Sequence, residues 1–120
     1  METLIIEGTD DTPKIILDKA KGMLEISGRS LSEDSVEFYK PVLEWITSYS
    51  KDPNDSTTFV FKLEYSNTAS SKLIQDIMIS LEKIKETKIV WYFQEEDEDM
   101  EQAGYEFAEL VEVPFEFKTY

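Results

Sequence analysis

The sequence predicts an α/β fold whose mixed sheet begins with antiparallel strands and continues as β-α-β-α-β-α-β, with the helices mainly on one face. Two short apolar runs near the start flank a four-residue link, as in a hairpin. Further on, strands alternate with helical stripes, which implies right-handed crossovers and parallel pairing. In those strands apolar residues alternate with charged ones. One sheet face is therefore expected under the helices and the other toward solvent or a partner.

The opening third has the pattern of a small antiparallel unit. Residues 4–6 are predicted to form a first short strand, and residues 8–13 a turn. Two further strands, at 14–18 and 23–27, are joined by Lys19-Ala20-Lys21-Gly22, a link of the length that closes a hairpin.

A first helix is predicted to start near Ser32. Ser35 follows three residues later, with acidic residues between them, which is typical of a helix start. The apolar stripe of this helix comprises Val36, Tyr39, Leu43 and Ile46. Pro41 falls inside the pattern and cannot donate to the carbonyl four residues back, so it either kinks the helix or marks a later start. The run Asp52-Pro53-Asn54-Asp55 ends the helix.

The remaining elements alternate regularly along the chain. Strands are predicted at about 57–65, 88–93 and 114–118, and helices at about 69–86 and 98–110, with boundaries good to a few residues. The helix that starts near residue 69 carries a stripe with the helical period: Leu73, Ile77, Leu81 and Ile84, flanked by Ile74 and Met78. This stripe is expected to face the core.

The aromatic residues are more typical of a core than of a ligand pocket. Trp91 shares strand parity with Ile89 and Phe93, so all three are predicted to point inward. Val90 and Tyr92 then point to the opposite face, where they are candidates for a protein contact.

Length and composition indicate one globular domain spanning 1–120. Hydrophobic residues make up 41% of the chain, which excludes a disordered protein. No apolar run reaches the length of a membrane span, and the amino terminus carries neither a basic region nor an apolar stretch for export. A cytoplasmic location is therefore expected.

The charge argues against anionic partners. The chain has 12 basic and 26 acidic residues, which give a formal net charge of −14. This charge disfavours binding to nucleic acid and to membrane surfaces. Six acids occupy seven positions in 95–101, without the spacing and glycine of a calcium loop. The run is better explained as a solvated loop entering a helix, whose amino-terminal dipole favours acids. Contact with a basic partner remains open.

Catalytic signatures are missing from the sequence. It has no histidine and no cysteine, which excludes the common nucleophile-base pairs, thiolate metal sites and histidine metal sites. Its four glycines form no phosphate-binding loop. We therefore expect a protein without catalytic residues, cofactor or metal.

The segment 65–72 carries the most informative local pattern. It places a cluster of hydroxyl groups at the junction between a predicted strand, whose apolar residues alternate with period two, and a predicted helix. Asn67 or Thr68 is the natural N-cap, with a side-chain oxygen that accepts from an N–H one turn in. A phosphate at this position would lie on free backbone N–H groups.

Motifs along the whole chain carry a family resemblance. They are Gly8-Thr9 with Thr12-Pro13, Glu33-Asp34-Ser35 opening a helix with Glu44-Trp45, Asn67-Thr68 with Ser70 or Ser71 after an aromatic strand, Trp91-Tyr92, and Pro114-Phe115. In their order and spacing the chain resembles the SiaC family of bacterial regulatory phosphoproteins, whose fold is similar to that of the anti-sigma-factor antagonist (STAS) domains. The resemblance implies a STAS-like fold.

The resemblance also implies a site and partners. Thr68 corresponds to the phosphorylated threonine of the family, and Asn67, Ser70 and Ser71 are expected to bind partners around it. Ala69 stands where the family pattern favours serine, which leaves Thr68 as the acceptor. The implied partners are a protein kinase, a metal-dependent protein phosphatase and, as client, a diguanylate cyclase that the unphosphorylated form activates.

Two classes of function follow. The first is a non-catalytic partner switch controlled by phosphorylation of Thr68. The alternative is a constitutive acidic binding or scaffold domain in which Thr68 is only a helix cap. The resemblance favours the first, and a phosphate on one threonine would separate the two.

Overall fold

The computed structural model describes residues 1–120, which form six strands and three helices. The strands are β1 (Leu4–Ile6), β2 (Lys14–Asp18), β3 (Met23–Ser30), β4 (Thr57–Ser66), β5 (Thr87–Phe93) and β6 (Phe115–Thr119). The helices are α1 (Ser35–Tyr49), α2 (Thr68–Leu81) and α3 (Glu98–Leu110). The predicted order of elements is confirmed.

All six strands form one sheet in the order β1-β2-β3-β4-β5-β6. The pairs β1-β2 and β2-β3 are antiparallel, and the three later pairs are parallel. Each parallel step moves to the next strand in the same direction, so right-handed crossovers put all three helices on one face. The predicted mixed sheet with helices on one face is therefore confirmed.

The core lies between this sheet and the helices. Strand register brings Ile26, Phe61 and Trp91 side by side on the covered face, and all three are fully buried. The inward assignment of Ile89, Trp91 and Phe93 is confirmed. The indole N–H of Trp91 donates to the carbonyl of Met100 at 2.9 Å, which satisfies its one polar group and ties α3 to the sheet.

The opposite face of the sheet carries no helix. Val90 and Tyr92 point there, as predicted. Val90 is nevertheless only 4% exposed, so Tyr92 is the more accessible of the two. The ammonium group of Lys62 lies 5.3 Å from the ring centroid of Tyr92 and 4.5 Å from that of Tyr120. These cation-π contacts cover part of the face.

Helix α1 differs from the prediction in its start and in one residue of its apolar stripe. It starts at Ser35, and Asp34 rather than Ser32 is the N-cap, with a side chain that accepts from the Glu37 N–H.

The buried face of α1 comprises Tyr39, Val42, Trp45, Ile46 and Tyr49, with Ser35 in its first turn. Tyr39 and Ile46 are buried as predicted, and Leu43 packs partly buried against the core. Val36 is 65% exposed, because the helical spacing that buries Tyr39 and Val42 turns it outward. The helix continues through Pro41, so the later start is wrong.

Two other elements, β3 and α2, end at different residues than predicted, each for a local reason. Strand β3 runs on to Ser30, past a register shift at Gly28, whose φ of +103° suits glycine. Helix α2 ends at Leu81, short of the predicted residue 86. Ile84 is still buried, because a turn after the helix carries it back to the core. The predicted stripe of α2 is buried throughout.

The acidic run 95–101 leads into α3, as predicted. Asp97 is the N-cap and accepts from the Met100 N–H at 3.1 Å. Three more acids occupy the first turn, where the helix dipole favours negative charge. None of the three helices combines the length and apolar character that crossing a membrane requires.

Helix α3 approaches the sheet closely at Gly104. A β-carbon built there would lie 2.5 Å from Cδ1 of Trp91 and 2.9 Å from a ring carbon of Phe117. Both distances are shorter than real β-carbon contacts. A glycine is therefore required for α3 to rest on the Trp91 ring.

We expect Gly104→Ala to lower the free energy of unfolding by about 1 kcal/mol or more, because overpacking outweighs the better helix propensity of alanine. Urea unfolding measures the change. On the same helix, Ala108→Gly is the matched control and should cost about 1 kcal/mol through propensity. A more stable Gly104→Ala protein would contradict the close approach.

We expect Ile77→Ala to cost about 2–5 kcal/mol, because Ile77 is fully buried under the sheet and its loss leaves a cavity. The exposed Ile79, two residues further along α2, is the matched control, and Ile79→Ala should stay within about 1 kcal/mol. Equal losses in the two variants would show that the assigned face of α2 is wrong.

Candidate functional site

Asn67 alone separates strand β4 from helix α2. Its backbone is extended, and its N–H donates to the Ser30 carbonyl at 3.0 Å. Its side-chain oxygen accepts from the Ser70 N–H at 2.8 Å, and its own carbonyl accepts from the Ser71 N–H at 2.9 Å. Of the two predicted caps, Asn67 is therefore the N-cap of α2.

Thr68 is the first residue of α2, and its side chain is exposed. It takes no part in the cap. The N–H groups of Thr68 and Ala69 have no acceptor within the helix, since they precede its first hydrogen bonds. The positive end of the helix dipole lies at the same place. The surroundings of the Thr68 hydroxyl are therefore favourable to a negatively charged group.

Ser70, two residues after Thr68 in the first turn of α2, is fully buried. Its hydroxyl oxygen is 3.2 Å from that of Ser35, which in turn donates to the Ser32 carbonyl at 2.9 Å. These bonds join the first turn of α2 to the first turn of α1. The sequence predicted a partner contact for Ser70, but a side chain without exposed surface cannot make one directly. Its place in the structure is to hold the two helix starts together.

The end of β3 supports the same joint from the other side. The Ser30 hydroxyl lies 2.6 Å from the phenol oxygen of Tyr39, in a buried hydrogen bond. Burial raises the pKa of Tyr39 to about 12, an effect that the bond to Ser30 opposes. The phenol therefore stays neutral at ordinary pH, and this contact to α1 is insensitive to pH.

Ser71 reaches the surface beside Thr68. Its side chain is half-buried, and its oxygen lies 3.1 Å from the hydroxyl of Ser66. Asn67 is also half-buried. Asn67, Ser70 and Ser71 were predicted to contact a partner around Thr68. Two of them, Asn67 and Ser71, therefore have solvent-exposed surface that a partner could contact.

A groove of about 330 Å³ runs from Thr68 between α2 and α3. Its α2 wall is polar and its α3 wall is mainly apolar; the lining residues are Thr68, Ser71, Lys72, Gln75, Ala103, Glu106, Phe107 and Leu110. Leu110 is 60% exposed, so the α3 wall of the groove offers apolar surface to solvent. The groove exists because α1 packs along α2, whereas α3 leans against β4 and β5.

The groove contains one basic side chain and one acidic side chain. They are Lys72 and Glu106. The ammonium group of Lys72 lies 2.9 Å from Oδ1 of Asp76, one turn further along α2. The Lys72 side chain is 67% exposed, so solvent screens this ion pair.

Sequence reasoning missed the α3 wall and Lys72. The wall depends on how two helices distant in sequence sit on the sheet, for which the sequence holds no local signal. Lys72 did carry a local sequence signal, because it lies four residues from both Thr68 and Asp76, the spacing at which side chains on a helix interact.

The chain is similar to proteins of one family along its whole length. The model of the SiaC family regulatory phosphoproteins matches residues 6–120. An uncharacterized protein of Pseudomonas aeruginosa strain UCBPP-PA14 is 29% identical over 124 residues, which cover 100% of this chain and 98% of that protein.

Solved structures agree with this match. SiaC of P. aeruginosa superposes with a TM-score of 0.89 at 28% identity, with 100% of both chains covered. A chain in the crystal structure of the diguanylate cyclase SiaD in complex with its activator SiaC superposes with a TM-score of 0.90 at 29% identity, with 98% of this chain and 99% of that chain covered. By its family match and its fold, the chain belongs to the SiaC family of regulatory phosphoproteins.

Proposed function

We propose that the protein is a partner switch whose unphosphorylated form binds and activates a diguanylate cyclase, and that phosphorylation of Thr68 prevents this. The observation that carries the proposal is the exposed Thr68 at the first position of α2, beside an open groove with an apolar wall. The relative SiaC of P. aeruginosa, described as an activator, forms a complex with the cyclase SiaD, which supports a cyclase as client.

The position of Thr68 allows a phosphate without loss of the fold. Phosphorylation adds about 1.5 to 2 negative charges and three acceptor oxygens. The free N–H groups of Thr68 and Ala69 and the helix dipole favour such a group. The cap formed by Asn67 does not involve the Thr68 hydroxyl, so it persists when that oxygen is modified.

The same position makes a phosphate unfavourable for a bound client. A partner that packs into the groove against the exposed Leu110 also covers Thr68, which lines the same groove. Covering a dianion means removing its water, which costs several kcal/mol unless new partners compensate. Each 1.4 kcal/mol is tenfold in affinity, so the expected loss is large.

The proposal includes two modifying enzymes. A kinase must reach the Thr68 hydroxyl and a metal-dependent phosphatase must reach its phosphate, and the exposure of this side chain permits both. A cytoplasmic location, expected from the sequence, belongs to the proposal.

The alternative function, a constitutive acidic scaffold, is supported by the exposed acids Glu95, Glu96, Glu98 and Asp99. It treats Thr68 as only a helix cap. Because Asn67 is the cap, this alternative gives no reason for a threonine at position 68. The partner switch does give one.

We expect the purified protein to have no hydrolase, transferase or cyclase turnover, because it lacks histidine, cysteine and a phosphate-binding loop. The assay follows nucleotide consumption and phosphate release by the protein alone. Turnover that survives repurification and disappears when one carboxylate is replaced would contradict this expectation.

For the switch, we expect Thr68→Ala to bind the cyclase like the wild type, since it removes the acceptor hydroxyl and one exposed methyl group and leaves the Asn67 cap in place. Thr68→Asp should bind at least about tenfold more weakly, and protein with phosphothreonine at 68 should bind weaker still, because a carboxylate carries about half the charge of the phosphate. Titration calorimetry against the diguanylate cyclases of the same organism measures affinity, and cyclic di-GMP production measures activation.

The matched control is Thr47→Asp, which adds the same charge at an exposed position of α1 outside the groove. It should bind and activate like the wild type. Phosphothreonine is incorporated during translation, so the measurement does not depend on knowing the kinase. Equal affinity of the modified and unmodified proteins would refute the switch. Intact-mass analysis of the protein from its own cells tests whether the phosphate occurs on Thr68.

A further inference from the structure

Thr68, Lys72 and Asp76 occupy successive turns of α2, each four residues from the next. Side chains four apart on a helix lie about 5–6 Å from each other at their β-carbons, so Lys72 can reach either neighbour. In the unmodified protein it reaches forward, and its ammonium group is 2.9 Å from the Asp76 carboxylate.

The direction of this ion pair is the weaker of the two possible ones. On a helix, an acid that precedes a lysine by four residues interacts better than an acid that follows it, in keeping with the helix dipole. Asp76 follows Lys72, and a phosphate on Thr68 would precede it. Orientation therefore favours the phosphate over the carboxylate as the partner of Lys72.

Charge favours the same exchange. A phosphate dianion carries up to twice the charge of a carboxylate and offers three acceptor oxygens. Lys72 is the only basic residue that lines the groove, and the other charged residue there, Glu106 on α3, repels a phosphate. The groove therefore has no other cation that could pair with a phosphate on Thr68.

The present pair is also easily broken. The side chain of Lys72 is 67% exposed and that of Asp76 is 37% exposed, and solvent-exposed pairs of this kind contribute little to stability. The ammonium group can therefore move back one turn without cost to the core.

We infer that Lys72 is the phosphate-binding residue of the phosphorylated state: its ammonium group leaves Asp76 and pairs with the phosphate on Thr68. The inference rests on the proposed function in taking Thr68 as the modified residue. The exchange leaves the Asp76 carboxylate unpaired near the groove. Phosphorylation therefore changes the surface at two points of α2, one turn to either side of Lys72.

The test is the second pKa of the phosphate, measured by a phosphorus NMR titration of the full chain with phosphothreonine incorporated at 68. A cation near the phosphate stabilises its dianion and lowers this pKa below the ordinary value of about 6. Lys72→Gln should raise it by about 0.3 unit or more, and Lys72→Arg should restore a low value.

The matched control is Lys83→Gln, which removes the same charge from an exposed lysine beyond the other end of α2. At a rise of 1.5 Å per residue the last residue of α2, Leu81, is about 20 Å from Thr68, and Lys83 follows it, beyond the screening length of the phosphate in physiological salt. The control should move the pKa by less than about 0.1 unit. Equal shifts in Lys72→Gln and Lys83→Gln would refute the phosphate contact.

The exchange itself is tested with Asp76→Asn. Removing the competing carboxylate should lower the pKa of the phosphate in the wild-type background and change it little in the Lys72→Gln background. A shift of the same size in both would mean that Asp76 acts by charge alone and would overturn the exchange.

These outcomes are separable from failure of the proposed function. If the phosphorylated protein still binds the cyclase but Lys72→Gln raises the pKa, the switch is wrong and the phosphate contact stands. If binding is lost on phosphorylation and the pKa is indifferent to Lys72, the switch stands and the contact is wrong.

Discussion

The structure around Thr68 depends on the hydrogen bonds of one residue, Asn67. Its N–H bonds to the carbonyl of Ser30 and so ties the end of β4 to β3. Its side chain and carbonyl accept from the N–H groups of Ser70 and Ser71 and so start α2. A strand and a helix are thereby joined without a flexible loop, and the first helical residue has a fixed position. The exposed hydroxyl of Thr68 is presented on rigid backbone because its neighbour satisfies the cap.

The second wall of the groove depends on how α3 rests on the sheet. All crossovers run in one direction, so the three helices share a face, and α3 lies over β5 where Trp91 fills the core. Gly104 lets the helix approach that ring, and the indole N–H bonds to the carbonyl of Met100. The apolar residues Phe107 and Leu110 follow Gly104 on the same helix and line the groove opposite α2. The apolar wall of the proposed binding groove is thus positioned by a core contact of the same helix.

Much of the fold could be predicted because the apolar periods are clear. The alternation in β5 and the stripe of α2 identified buried residues such as Trp91 and Ile77. In α1 one residue of the predicted stripe, Val36, is exposed, because periodicity cannot tell an exposed valine from a buried one, whereas Tyr39 and Ile46 are buried as predicted. The burial of Ser70 was also out of reach, since a serine suits a surface and a hydrogen-bonded interior equally. The groove required the relative position of two helices, which depends on long-range packing.

Electrostatic screening explains why a single modification can act on so acidic a protein. Two more negative charges change a net charge of −14 by only about a seventh. In physiological salt the Debye length is about 8 Å, so charges across a molecule of 37 × 27 × 23 Å do not act together. The relevant quantity is the charge of the groove, which is lined by one basic residue, Lys72, already paired with Asp76, and one acidic residue, Glu106. A phosphate on Thr68 makes this surface clearly more negative. In the proposed switch the phosphate therefore acts through the few groups within one screening length of the threonine, and the proposed contact surface of the client includes them.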